Sequence, residues 1–208
     1  IRATLTGIAE ALGVDADAPF TTADRSPDLD ALRTTYGAAD RDPSDAVILA
    51  VLEQFDTTTT HVITEGSSED ELVQTMATAL GFRNVHFSPR GGALGWAMPL
   101  SVGISLATKQ PAACFVGDGG SLFSVHSIWT AAAMRLPVVF VCFVNHEYRL
   151  LKDLWVSFMD TDLDSTRFVG LDFDDPALDL DAIMRGFGAA TEQLSDPAGA
   201  PAVIARAT

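Results

Sequence analysis

Two short stretches of this 208-residue chain set hard oxygen donors at the ends of apolar runs: Gly117-Asp118-Gly119-Gly120-Ser121, where the donor stands between glycines, and Val144-Asn145-His146-Glu147-Tyr148. Glycines let a backbone approach an anion closely, and the N-terminus of a following helix offers free N–H groups and a favourable dipole. Asp118 adds a carboxylate oxygen. If the two apolar runs are adjacent parallel strands, the Asn145 carboxamide oxygen and the Glu147 carbonyl come near Asp118 and complete an oxygen cage for one cation. Mg²⁺ suits such a cage, because it takes one or two protein oxygens together with phosphate oxygens and water. Alone, the first stretch is weak evidence, since Asp and Gly also make ordinary turns.

The elements that must position these loops follow from hydrophobic spacing. Ile1, Leu5, Ile8 and Leu12 repeat at helical spacing with Gly13 as a stop, so a helix is expected over 1–12. Residues 14–45 are rich in Asp, Ala, Thr and Pro without sustained period and read as a linker with a domain boundary. Beyond it, helices are expected at 46–55, 70–80, 97–107, 122–134, near 148–155 and at 180–187. Strands are expected at 61–64, 84–87, 113–116, 138–143 and 202–205. The runs at 113–116 and 138–143 are apolar at nearly every position, as in a parallel sheet covered on both faces. The expected fold is therefore a three-layer α/β/α arrangement with a mainly parallel central sheet. Its ligands bind beyond the carboxyl ends of strands, in the loops after Thr64, Val116 and Phe143.

The order Gly-Asp-Gly, helix, strand and Asn-bearing loop resembles the thiamine-diphosphate-dependent enzymes, most closely the benzoylformate decarboxylase-like group. In that family the Asp, the second Asn of a pair and a backbone carbonyl two residues later hold Mg²⁺, which here implies Asp118, Asn145 and Glu147. Val144 stands where the family usually has the first Asn, which puts a supporting hydrogen bond in question and leaves room for a non-catalytic relative. Glu65-Gly66-Ser67-Ser68 resembles the family segment in which the two hydroxyls, here Ser67 and Ser68, reach the terminal phosphate. The same residues also read as a helix capping box with Asp70 and Glu71. Gly91-Gly92-Ala93-Leu94-Gly95-Trp96-Ala97-Met98-Pro99 resembles the segment whose carbonyl, at Gly92, accepts from the cofactor's 4′-amino group. The bulky residue there, Leu94, props the cofactor in its bent form. An isolated leucine in such a turn would ordinarily be core. The resemblance thus assigns catalytic support to Gly92 and Leu94, and cofactor contacts to Ser67, Ser68, Gly92, Leu94, Gly117, Asp118, Gly119, Gly120, Asn145, Glu147 and Tyr148.

The resemblance covers residues 45–208. It implies the diphosphate- and Mg²⁺-binding domain of a 2-oxo-acid decarboxylase, with 1–44 as a residual central-domain helix and linker. The activating Glu and most catalytic histidines of the family belong to a pyrimidine-binding domain, in the same or a partner chain, that this sequence lacks; alone it is expected to be inactive. An acetolactate-synthase-like carboligase and a non-catalytic diphosphate-binding or assembly module are the alternatives. His61, His86, His126 and His146 are expected to be structural. Leu154 matches a substrate-contacting position, though packing explains it equally.

Composition narrows the rest. The chain has neither an initiator Met nor a signal-peptide pattern, and is expected to begin inside a longer gene product. No apolar run approaches a membrane span, and two cysteines in apolar runs read as free thiols, which suits a cytoplasmic protein. The resemblance further implies an apolar face, normally against the pyrimidine domain, that is expected to drive homo-oligomerisation. A net charge of −15 argues against nucleic acid. With Lys109 and Lys152 as the only lysines, that acidic surface suggests adaptation to salt. The melting midpoint is therefore expected to rise as KCl is taken to molar concentration; a flat profile would remove the idea.

Overall fold

The computed structural model describes residues 28–65, 69–86 and 92–207. The helix expected over 1–12, and Ser67 and Ser68, lie outside these residues. The described chain opens with helices α1 (Leu29–Tyr36) and α2 (Pro43–Leu52), then strand β1 (His61–Glu65), α3 (Asp70–Ala79) and β2 (Asn84–His86). It continues through α4 (Ala97–Thr108), β3 (Ala112–Gly117), a one-turn helix α5 (Asp118–Ser121), α6 (Ser127–Met134) and β4 (Val138–Phe143). Helices α7 (Arg149–Met159), α8 (Leu180–Gly186) and α9 (Ala200–Ala207) complete it, α9 following directly on a 3₁₀ turn at Pro197–Gly199.

The four strands are all parallel, in the order β2-β1-β3-β4, with His61 opposite both Asn84 and Ala112, and Ala112 opposite Val138. Strand alternation sends side chains to two separate cores. Val62, Ala113 and Phe115 pack with Ile48, Leu52, Val73, Met76 and Ile204 from α2, α3 and α9. Ile63, Ala112, Cys114 and Val116 pack the other way, with Met98, Ile128, Leu180 and Met184 from α4, α6 and α8. This is the expected three-layer α/β/α fold. β3 is buried almost throughout, whereas every residue of β4 keeps partial exposure, because β4 forms the edge of the sheet among the described strands.

Three expectations are corrected. The stretch read as linker contains α1, which Asp28 caps by accepting from the Ala31 N–H and whose Tyr36 is buried in the first core. Of the helix expected over 122–134 only Ser127–Met134 is helical: residues 122–126 are turns, and the preceding Gly-Asp-Gly-Gly stretch itself coils as α5, with the Leu122 N–H donating to the Asp118 carbonyl. Residues 202–205, expected as a strand, lie in α9. Asp196 accepts from the Ala198 N–H to start the preceding turn, and Ala200 and Ile204, four residues apart on one helix face, are both buried in the core shared with α2.

No helix among the described residues is long and apolar enough to cross a membrane. Both cysteines are free, and burial pushes each thiol above its ordinary value, away from reactive thiolate.

His61 and His86 form a pair at the start of β1 and the end of β2. His61 Nδ1 lies 3.0 Å from His86 Nε2, His61 Nε2 lies 2.9 Å from Gln110 Oε1, and the rings stack. One tautomer satisfies both contacts: with Gln110 accepting from His61 Nε2–H, His61 Nδ1 accepts from His86 Nε2–H. Burial and then the neighbouring His61 lower the His86 pKa below the ordinary value of 6.5. The unfolded chain therefore binds a proton first. The contribution of His86 to stability is complete above about pH 6.5 and is lost as pH falls through its lower folded value. A His86→Gln protein should show a weaker fall in melting temperature between pH 7.5 and 5.5 than the wild type; parallel profiles would count against it.

Candidate functional site

β1 lies between β2 and β3, so the chain departs to one side of β1 and returns on the other. In such a sheet a crevice opens beyond the C-terminal ends of the two central strands. Glu65 ends β1 there, and Gly117 ends β3 and leads into Asp118. The next parallel strand, β4, delivers Asn145 to the same rim.

Asp118 is buried, and its carboxylate joins the two loops. The Gly119 N–H donates to Oδ1 at 2.7 Å, and the Asn145 and His146 N–H groups donate to Oδ2 at 3.2 and 2.7 Å. Residues 118 and 145 are thus brought together through the backbone of the β4 loop, not through the Asn145 carboxamide that the sequence reading paired with Asp118. The Asn145 carboxamide oxygen accepts from the Glu147 N–H at 3.1 Å, an Asx turn that shapes the loop, and His146 takes a left-handed φ of 59°.

A second segment pins this loop from outside. The Tyr148 N–H donates to the Leu171 carbonyl and the Phe173 N–H to the His146 carbonyl, each at 2.8 Å, and Glu147 bridges Asp172. The Tyr148 ring meets Phe173 edge-on at 4.8 Å and covers Gly119, where a Cβ would stand 2.5 Å from Tyr148 Cε1. Buried Lys152 reaches back from α7, donating to Glu147 Oε2 at 2.5 Å and to Asp172 Oδ1. Burial works against its charge, but the hydrogen bonds and charges of Asp172 and Glu147 outweigh it and hold the ammonium above the ordinary lysine value. Sequence reasoning missed Lys152, although a lysine inside an apolar helix of a chain with only two lysines was a signal.

On the β1 side, Glu65 is 4% exposed and accepts from three backbone N–H groups: Gly95 at 2.5 Å, Trp96 at 2.8 Å and Ala97 at 2.7 Å. These begin α4, directly after the segment holding Gly92 and Leu94. Gly92 takes φ +60° and Gly95 φ +90°, so two left-handed turns shape the segment. Leu94 is 37% exposed, which sets aside its reading as a core leucine. Val144 is exposed.

The donor set fits a hard cation beside a phosphate. It offers one carboxylate, one carboxamide and main-chain carbonyls, and among the described residues no group of three or more His, Cys, Asp or Glu could hold a metal instead. At Gly92 and Gly117 a Cβ would meet nothing within 4 Å among the described residues, leaving bare backbone open to close approach. The surroundings are acidic: burial first, then Asp42, Asp118 and Asp70, raise the Glu69 carboxyl above the usual carboxylate range. An anionic ligand entering this field needs a cation with it.

Benzoylformate decarboxylase of Pseudomonas aeruginosa is 35% identical over 104 residues, covering 50% of this chain and 18% of that protein. The crystal structure of benzoylformate decarboxylase from Polynucleobacter necessarius superposes with a TM-score of 0.65 at 25% identity, covering 91% of this chain and 33% of that one. The thiamine diphosphate-dependent 4-hydroxybenzoylformate decarboxylase of Rhodococcus jostii shares the fold, with a TM-score of 0.60 at 21% identity over 82% of this chain and 31% of that one. The chain thus spans a third or less of the length of these relatives. Residues 64–208 match the family described as thiamine pyrophosphate enzyme, C-terminal TPP binding domain, and the chain belongs to that family.

Proposed function

We propose that this chain is the diphosphate- and Mg²⁺-holding domain of a decarboxylase acting on a 2-oxo acid of the benzoylformate type, with thiamine diphosphate (thiamine pyrophosphate) as cofactor. The observation that carries the reading is the Asp118 carboxylate, which ties the end of β3 to the Asn145 loop at the rim where ligands of such sheets bind. Asp118, the Asn145 carboxamide and the Glu147 carbonyl would hold Mg²⁺. Ser67, Ser68, Gly117, Gly119 and Gly120 would surround the diphosphate, with Tyr148 beside them. Gly92 and Leu94 would contact the rest of the cofactor, Gly92 through its carbonyl and Leu94 as the prop.

When bound, the cofactor supplies the electron sink into which a 2-oxo acid loses CO₂. The chain's own contribution is to bind, bend and orient. Asp118 fixes the metal loop, Lys152 and the 171–173 segment brace it from behind, and left-handed Gly92 and Gly95 turn the prop segment inward. A pyrimidine-binding domain, from the same or a partner chain, would complete the site, and without it turnover is not expected. Helix α7 supports a covered surface, since Leu150, Leu151, Leu154, Trp155 and Phe158 are all exposed on it, Phe158 at 87%. Domain docking or homo-oligomerisation in a cytoplasmic protein would bury them. Val144 favours one other reading, a diphosphate-binding module without turnover.

Calorimetric titration of thiamine diphosphate into the full-length protein, with Mg²⁺ and with chelator, tests the binding half. Mg²⁺-dependent binding is the expected result, and binding indifferent to chelator contradicts it. A screen of aromatic and aliphatic 2-oxo acids then separates decarboxylase from silent module.

A further inference from the structure

We propose that Glu65 is a positioning residue: its carboxylate is the strut that sets the Gly92–Leu94 segment at its height above the Asp118 loop. The proposal rests on the cofactor reading above. A buried carboxylate is costly unless its oxygens are satisfied, and here both are, by main-chain donors 30 to 32 residues away. Those donors are Gly95, the N-cap residue Trp96 and the first residue of α4, Ala97, a helix start that no side chain of its own caps. Pro99 in its first turn has no N–H, and the Leu100 N–H is already taken by the Trp96 carbonyl. The carboxylate thus receives the free N–H groups that lead into the helix and meets the positive end of its dipole.

The opposite side of the same carboxylate faces the diphosphate loop. A Cβ on Gly120 would lie 3.2 Å from Glu65 Oε1, so α5 packs directly on the strut. Phe123, just beyond α5, touches Gly95, where a Cβ would lie 2.6 Å from Phe123 Cβ. The Gly92–Leu94 segment and the Gly117–Gly120 loop therefore have no independent position: each is set against one oxygen pair at the end of β1. Among the described residues the Glu65 carboxylate bonds to Gly95, Trp96 and Ala97 and stands away from the Cβ positions of Gly92 and Gly117, so its effect runs through the loops.

Glu65→Gln removes the charge and turns an NH₂ group toward N–H donors, whereas Glu65→Asp keeps the charge on a shorter arm. In the full-length protein without cofactor, backbone amides 95–97 should exchange faster in the Gln variant. In saturating Mg²⁺, thiamine diphosphate affinity should weaken about 10- to 100-fold, as for lost supporting groups elsewhere, with the Asp variant recovering part of it. The Mg²⁺ concentration for half-saturation should stay within about twofold, because the ligand loop is untouched. Val73→Ala, a cavity in the opposite core, is the control for stability loss; it should lower the melting temperature without moving the affinity.

A wild type that binds while the Gln variant binds equally well, or weakens only as the Val73 control does, overturns the proposal and leaves the functional reading standing. A wild type that does not bind thiamine diphosphate overturns both. Should the Gln variant fail to fold, the Asp variant decides: unchanged exchange at 95–97 with unchanged affinity overturns the strut.

Discussion

An Asp118→Asn protein is expected to bind thiamine diphosphate at least about a hundredfold more weakly in Mg²⁺, since outer-shell losses alone cost about 10- to 100-fold and this residue is the one charged ligand of the proposed set. The substitution preserves shape, so the result reads the carboxylate itself. One of its two oxygens becomes an NH₂ that must face either the Gly119 N–H or the pair at Asn145 and His146. Whichever side it takes, at least one buried donor loses its acceptor, at about 1–3 kcal/mol of folding stability. Calorimetry checks the first part and urea unfolding the second. Affinity within about threefold of wild type would be too small for the loss of a charged metal ligand and would remove Asp118 from the metal site.

Gly95→Ala should be the most damaging single methyl in the molecule. It meets two separate obstacles, a φ of +90° that side chains rarely adopt and a Cβ placed 2.6 Å from Phe123 Cβ. Backbone strain of this kind costs about 1–3 kcal/mol and overpacking about 1–3 kcal/mol, so a loss near 3 kcal/mol is expected, or roughly 6–12 °C in melting temperature. Gly103→Ala is the matched control. Gly103 lies inside α4 with nothing among the described residues within 4 Å of its Cβ position, and alanine there should stabilise by about 0.5–1 kcal/mol. If the two variants melt together, the tight turn before α4 is not the constraint described.

The sheet was legible because β3 and β4 are apolar at nearly every position, a pattern that a parallel sheet beneath two helical layers imposes. The convergence of Asp118 with the Asn145 loop was legible for a related reason, since adjacent parallel strands must end on the same rim. Glu65 escaped because its partners are main-chain N–H groups, which no residue type advertises, and they lie 30 or more positions away. The turn at Asp118–Ser121 escaped because glycine is a poor helix former; packing at the strand end overrides that preference. At the C-terminus, a short Ala-Val-Ile-Ala run supports strand or helix alike, and only the Asp196 cap and the burial of Ala200 with Ile204 decide for helix. Helix α1 was hidden in the same way, its one strong sign being the pairing of Asp28 at the start with Gly37 at the end.

β4 has a single hydrogen-bonded neighbour among the described strands, and none of its six apolar residues is fully covered. Such a margin is a template for the extended segment of any other molecule. Produced on its own at high concentration, the chain should accumulate thioflavin-positive material seeded along that border.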